Sequence, residues 1–265
     1  MRGDLPVTLE ITPPASPRPA VLLRRASLLG ARCGRVNVIQ RPDRWSSLEA
    51  SIVLSQRGFD PVWHLANRGR SIAEIEDDVA RASQAGLQRA LCIRGEHKAE
   101  DHGDTPKIRE LVRLLRRQLP DAQVSVTLNH HGPPSRVVAN LAGKLDAGAH
   151  AVQTQVTFDL VSLEAYAALV RERWPDVSIT PMLMPVLSAR STLRLSRRLA
   201  IPLPAGLLHR LELFGSDAGW EHFGAFVRAL ARTSLYDGVA VMTPIDPDPH
   251  FAARLVAVLD EAGTG

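Results

Sequence analysis

Residues 61–94, PVWHLANRGRSIAEIEDDVARASQAGLQRALCIR, decide the fold. The opening PVWHLA is short, apolar and rich in strand-forming side chains, which predicts a strand over 61–66. Ser71 and Glu74 stand at the spacing of a capping box, and Ile72, Ile75, Val79 and Ala82 then fall on one helical stripe. Gly86 lies where that helix hands over to a second strand, RALCIR, at 89–94. Strand, helix and strand in so few residues make a βαβ unit, whose strands run parallel.

The same alternation extends in both directions. Further strands are expected at 6–12, 35–40, 123–129, 150–156, 177–184 and 238–243. Most are dense in Val, Ile, Leu and Thr rather than strictly alternating, as strands covered on both faces are. Helical patterns fill 17–31, 46–57, 106–119, 135–147, 161–173, 188–199, 218–233 and 248–262, with Pro106 at a first-turn position. Residues 200–217 read as an additional helical insertion. Eight strands alternating with helices make either a closed barrel or an open doubly wound sheet. After the first strand stands Ile11-Thr12-Pro13-Pro14 rather than a glycine-rich phosphate fingerprint, which argues against the open sheet. The expectation is an α/β protein, a single (β/α)8 TIM barrel occupying 1–265 as one domain; 265 residues suit it.

Composition narrows the function classes. With 45% hydrophobic and 23% charged residues the chain is ordinary for a globular protein. No apolar run approaches the roughly 20 residues of a membrane span, and no signal-like stretch opens the chain, so a cytoplasmic protein without a membrane partner is expected. The net charge of +4 comes mostly from scattered arginines, and aromatics are only 5%, which disfavours a nucleic-acid binder. The doublets Arg24-Arg25, Arg116-Arg117 and Arg197-Arg198 read as solvated helix faces. Cys33 and Cys92 read as buried, inert thiols. The adjacent His130 and His131 point to opposite sides of an extended chain and lack a third ligand, so no metal is expected.

In such a barrel the chemistry sits at the carboxyl ends of the strands. Those positions hold Glu10, Gln40, His64, Arg94-Gly95-Glu96, Asn129-His130-His131, Gln155, Asp159, Thr243 and Asp246. Glu10 is the one charge inside VTLEIT, and a carboxyl in a partly dry pocket is suited to donating a proton near neutral pH. Arg94 suits a phosphate, Gly95 a close backbone approach, and Gln155 an amide edge.

Taken in order, the segments resemble the methylenetetrahydrofolate reductase family along nearly the whole chain. Leu9-Glu10-Ile11-Thr12-Pro13-Pro14 resembles its opening strand, His64-Leu65 the end of its third, and Arg94-Gly95-Glu96 its R/T-G-D signature. Asn140 with Lys144-Leu145-Asp146-Ala147-Gly148-Ala149 resembles its N-x-x-x-K-x-D-A-G-A helix end. Thr154-Gln155-Val156-Thr157-Phe158-Asp159 resembles its T-Q-x-x-F-D, and Arg68-Gly69-Arg70-Ser71 is similar to the R-D-R-N of one branch. The resemblance implies reduction of 5,10-methylenetetrahydrofolate to 5-methyltetrahydrofolate, with FAD relaying hydride from NAD(P)H. It gives Glu10 as the catalytic acid, and Glu96 and Gln155 as groups that orient the folate. His64, Arg94, Gly95, Asn129, Asn140 and Lys144 hold the flavin. The chain departs from the pattern at Glu96 (aspartate), Asn129 (tyrosine), Gly143 (a common flavin-contacting arginine) and Met182 (glycine). Two alternatives therefore stand beside this reading: a flavin-free NAD(P)H-dependent reductase, and a non-catalytic barrel in one-carbon metabolism. A homo-oligomer stays open.

Overall fold

A computed structural model describes residues 5–95, 105–244 and 246–263. Eight strands close into a barrel in chain order: β1 (Val7–Ile11), β2 (Arg35–Val38), β3 (Asp60–Ala66), β4 (Arg89–Ile93), β5 (Gln123–Leu128), β6 (Ala151–Val156), β7 (Ser178–Leu183) and β8 (Val239–Met242). Helices alternate with them: α1 (Pro19–Ala26), α2 (Ser47–Ser55), α3 (Ile72–Gln84), α4 (Ile108–Gln118), α5 (Pro134–Leu145), α6 (Leu160–Arg173), α7 (Ala189–Leu199), α8 (Leu207–Arg232) and α9 (Pro249–Glu261). The (β/α)8 expectation is met.

Contacts gather into two compact units. One comprises Thr8–Thr127 and Ala139–Val152; the other takes the described residues up to Val7, Leu128–Val138 and those from Gln153 onward.

In the first unit the registers of β1 to β5 fix which side chains share a face. Leu9 pairs with Val36, Glu10 with Asn37, Asn37 with Val62, His64 with Leu91, and Leu91 with Ser125. Partners in a parallel ladder lie on the same face, and the face alternates along each strand. Leu9, Val36, Val38, Trp63, Leu65, Ala90, Cys92, Val124 and Val126 therefore form one face, apolar and buried beneath the helices. The opposite, inner face carries Thr8, Glu10, Asn37, Val62, His64, Ala66, Leu91 and Ile93. One face is uniformly apolar and the other mixed, which blurs the alternation in the bare sequence.

The capping box of α3 forms as read: Glu74 N–H donates to Ser71 Oγ (3.3 Å) and Ser71 N–H to Glu74 Oε2 (2.7 Å). Helix α4 starts two residues later than Pro106 suggested. Lys107 is its N-cap, with its N–H donating to Glu110 Oε2 (2.7 Å), while the Pro106 carbonyl accepts from Asn67 Nδ2 (2.5 Å). Arg25 corrects the reading of its doublet as solvated: it is buried, and its Nη1 donates to the Thr12 carbonyl (2.7 Å) just past β1. A buried carbonyl at a strand end needs a donor, and this guanidinium supplies it.

In the second unit Val156, Phe158, Met182, Val186, Ile201, Leu207, Leu211, Ala218 and Ala240 form a core cluster. The insertion expected at 200–217 and the helix expected at 218–233 are joined in α8, broken at Gly215 (φ 56°, ψ −138°). Asp237 ties the start of β7 to its neighbours by accepting from Ile179 N–H (2.8 Å) and from Arg171.

Candidate active site at the carboxyl ends of the strands

On the inner face of the first unit, Glu10 (4% exposed) and Asn37 (1%) stand side by side across β1 and β2, and His64 (5%) lies one pleat further toward the carboxyl end of β3. Neighbouring strands are roughly 4.8 Å apart, so a carboxyl and an amide side chain in direct register are neighbours. Ser47, the first residue of α2, fixes the strand ends here. Its hydroxyl donates to the Val38 carbonyl (2.6 Å) and accepts from His64 N–H (3.0 Å), bridging β2 and β3. The His64 ring Nε2 is buried without a hydrogen-bond partner. Burial pushes its imidazole down to about 3, so the ring is neutral at physiological pH. A neutral imidazole offers one donor and one acceptor to whatever meets it.

Beyond the ends of β2, β3 and β4 lies a cavity of about 370 Å³ lined by Gln40, Pro42, Ser46, Ala66, Arg68, Arg70, Asp78 and Gly95. Gly95 has φ +86°, and a Cβ there would sit 3.2 Å from the Ala66 Cβ, so both its backbone conformation and the crowding beside Ala66 favour glycine. Arg94 precedes it on the surface, its carbonyl accepting from Arg68 N–H (3.0 Å). Glu96, the third member of that signature, lies outside the described residues.

The α5 residues of this unit are not gathered with Glu10 and His64. Asn140 is exposed. Lys144 is half-buried, with Nζ donating to the Thr127 carbonyl (2.9 Å) and its charge acting on Cys92, which belongs to the helix-covered face. Burial lowers the Lys144 pKa, and burial drives the Cys92 thiol up to about 12.

In the second unit Asn129 is exposed, and its Oδ1 accepts from His131 N–H (3.1 Å). Gln155 is half-buried on β6 beside buried Thr154 and Val156, whose carbonyl lies 3.0 Å from His131 Nε2. His130 is buried against His131 (ring centroids 4.1 Å apart), and neither of its ring nitrogens has a partner. Desolvation, then the neighbouring His131, pushes His130 down to about 3. Asp159 is the N-cap of α6, accepting from Val161 and Ser162 N–H. Its carboxylate thus serves the helix. Among the described residues no group of three or more His, Cys, Asp or Glu is placed to hold a metal, and no helix is long and apolar enough to cross a membrane.

Reading strand ends alone missed Asn37, which precedes the last residue of β2, and the cavity residues Ser46, Arg68, Arg70 and Asp78. The signal for Asn37 was its isolation among Val36, Val38 and Ile39; only the register joins it to Glu10.

Residues 2–235 match the family model described as methylenetetrahydrofolate reductase. The chain is 23% identical over 201 residues to methylenetetrahydrofolate reductase 2 of Saccharomyces cerevisiae, covering 66% of this chain and 32% of that protein. It is 26% identical over 181 residues to a probable methylenetetrahydrofolate reductase (NADPH) of Caenorhabditis elegans, covering 65% and 27%. The matched segments thus span about a third or less of these relatives' length. Among solved structures, a Clostridium thermocellum protein that binds two copies of 5-methyl-5,6,7,8-tetrahydrofolic acid superposes with a TM-score of 0.69 at 13% identity, over 99% of this chain and 96% of that one. At that identity the likeness carries the fold alone.

Proposed function

Because the chain belongs to the methylenetetrahydrofolate reductase family, we propose that it is a single-domain oxidoreductase that reduces 5,10-methylenetetrahydrofolate to 5-methyltetrahydrofolate with electrons from NAD(P)H. The observation that carries this reading is Glu10, a carboxyl buried on the inner face of β1 next to the buried amide of Asn37. A carboxylic acid held in a desolvated site is equipped to donate a proton. Here Glu10 protonates the nitrogen that leaves when the methylene bridge opens; that carbon–nitrogen bond breaks, and the methylene carbon becomes part of a cationic iminium. Hydride addition to that carbon gives the methyl group. Gln155 and Glu96 orient the pterin through amide and carboxylate hydrogen bonds. That the Clostridium thermocellum protein of the same fold binds a folate agrees with this substrate class.

FAD, when bound, supplies the hydride relay between nicotinamide and folate. The unpartnered Nε2 of His64 and the side-chain-free backbone of Gly95 on the cavity wall fit a bound flavin dinucleotide, and His64, Arg94 and Gly95 would hold it. One observation favours the flavin-free alternative, in which nicotinamide delivers hydride directly. Lys144, assigned to the flavin, is turned to the Thr127 carbonyl with one of its three N–H donors, and Gly143 beside it offers no side chain.

Purified protein supplied with methylenetetrahydrofolate should oxidise NADH or NADPH. A visible flavin spectrum in the untreated protein selects the first route; a colourless, active protein selects the second. Glu10→Gln should lower kcat at least a hundredfold while folate still binds. Absence of both turnover and folate binding in the parent protein would refute the reading.

A further inference from the structure

We propose that α7 and the first half of α8 form a face on which a second copy of this chain docks about a two-fold axis. Helix α7 carries four arginines and no acid. At about 100° per residue, Arg190, Arg194, Arg197 and Arg198 fall within an arc of about 100°, and all four are exposed. Among the described residues none of their guanidinium groups has an ion-pair or hydrogen-bond partner. The opposite side of α7 is committed to the core, through buried Thr192 and through Leu195 and Leu199.

The neighbouring helix supplies the complement. Leu207 and Leu211 of α8 pack in the same cluster as Leu195 and Leu199, so both helices lie over one core and turn their other faces away from it. Every residue from Glu212 to Asp217 is exposed. The carboxylates of Glu212 and Asp217 have no partner among the described residues, whereas nearby Arg210 is engaged with Glu221 (2.7 Å). Between the two acids Leu213 is 60% and Phe214 64% exposed, just before the break at Gly215. Single apolar side chains on a surface are ordinary; two large adjacent ones beside uncompensated charge of both signs mark a contact. The signs choose the occupant. An anionic bilayer would attract α7 but meet Glu212 and Asp217 flanking the side chains that would have to insert. Two copies stacked α7 on α7 would repel. A two-fold arrangement instead sets each α7 against the acidic tip of the other copy's α8, so every stripe meets its opposite and Leu213 and Phe214 are covered. Guanidinium forks suit carboxylates in such pairs.

Sedimentation velocity of the full chain tests this contact whether or not the barrel reduces folate. At about 100 µM protein and low salt it should show a dimer, which dissociates as salt rises to about 0.5 M. Reversing α7 (Arg190→Glu, Arg194→Glu and Arg197→Glu together) should weaken dimerisation at least tenfold. Reversing the tip (Glu212→Arg with Asp217→Arg) should do the same, and so should Phe214→Ser, which leaves every charge in place. Circular dichroism melts check that the variants fold. Mixed in equal amounts, the two charge-reversed proteins should dimerise again, because each reversed element then meets a complement. A parent protein that stays monomeric at about 100 µM overturns the proposal, and so does a dimer that survives both reversals, since it uses another face. Loss in both reversals without recovery on mixing removes the pairing of α7 with the tip. A monomer that instead sediments with phosphatidylglycerol vesicles gives the face to a membrane surface and overturns self-association.

Discussion

At the scale of single residues, what separates the reactive groups from the inert ones is the face of the strand on which each stands. Glu10, Asn37 and His64 share the inner face of β1, β2 and β3, whereas Cys92 belongs to the face covered by helices. A thiolate is the reactive form of cysteine, and burial holds the Cys92 thiol at about 12 and raises that of Cys33 as well. Both cysteines are therefore expected to resist a disulfide-exchange reagent at pH 8 in the folded protein and to react fully in denaturant. One rapid equivalent under native conditions would contradict this burial. Glu10 was legible in the sequence because a lone carboxylate in an apolar strand has few reasons to be there. Lys144 was legible only as a motif position, since spacing does not say which carbonyl a long, flexible side chain will reach. Its ammonium bonds Thr127 within 2.9 Å.

At the scale of elements, α8 shows how tertiary contact overrides local pattern. Gly215 breaks the helix with a positive φ, and four residues later Gly219 presses against the backbone of Val186. A Cβ at Gly219 would collide with the Val186 carbonyl oxygen, whereas one at Gly215 would meet nothing within 4 Å and suffer only from its φ of +56°. Gly219→Ala should thus destabilise the protein by more than about 3 kcal/mol or prevent folding, and Gly215→Ala, at a φ/ψ pair that side chains rarely adopt, by about 1–3 kcal/mol. Urea midpoints of the two variants check the ranking, and equal midpoints would remove the close approach as its cause. The alternation of strands and helices was readable because period and capping are local properties. The union of 200–217 with 218–233 was not, because in sequence a glycine marks a break, a cap or a close crossing with equal ease. Only the carbonyl of Val186 tells them apart. Arg25 is the same lesson for charge: an amphipathic pattern assigns it to solvent, and an unpaired carbonyl after β1 draws it inside.

At the scale of the whole molecule, acid should destabilise both compact units, because each buries a neutral histidine. His64 lies in one and His130 in the other, both pushed by desolvation from 6.5 to about 3. The depressed folded-state pKa sets the sign. Between pH 6.5 and 3 the unfolded chain binds the proton and the folded one does not, so stability is full above about 6.5 and falls as pH drops through that window. At roughly 1.4 kcal/mol per unit, each histidine has cost about 2 kcal/mol by pH 5, or about 4 kcal/mol together. Such a loss is a large fraction of the 5–15 kcal/mol that typically holds a domain together. Urea denaturation at pH 7.5 and pH 5 should therefore give clearly separated midpoints. His130→Gln, which cannot take up the proton, should recover about half of the difference between the two pH values, even if it lowers stability at both. If the parent protein is equally stable at pH 7.5 and pH 5, these rings are hydrated or partnered in solution, and His64 then loses its standing as a dry, neutral group waiting for a ligand.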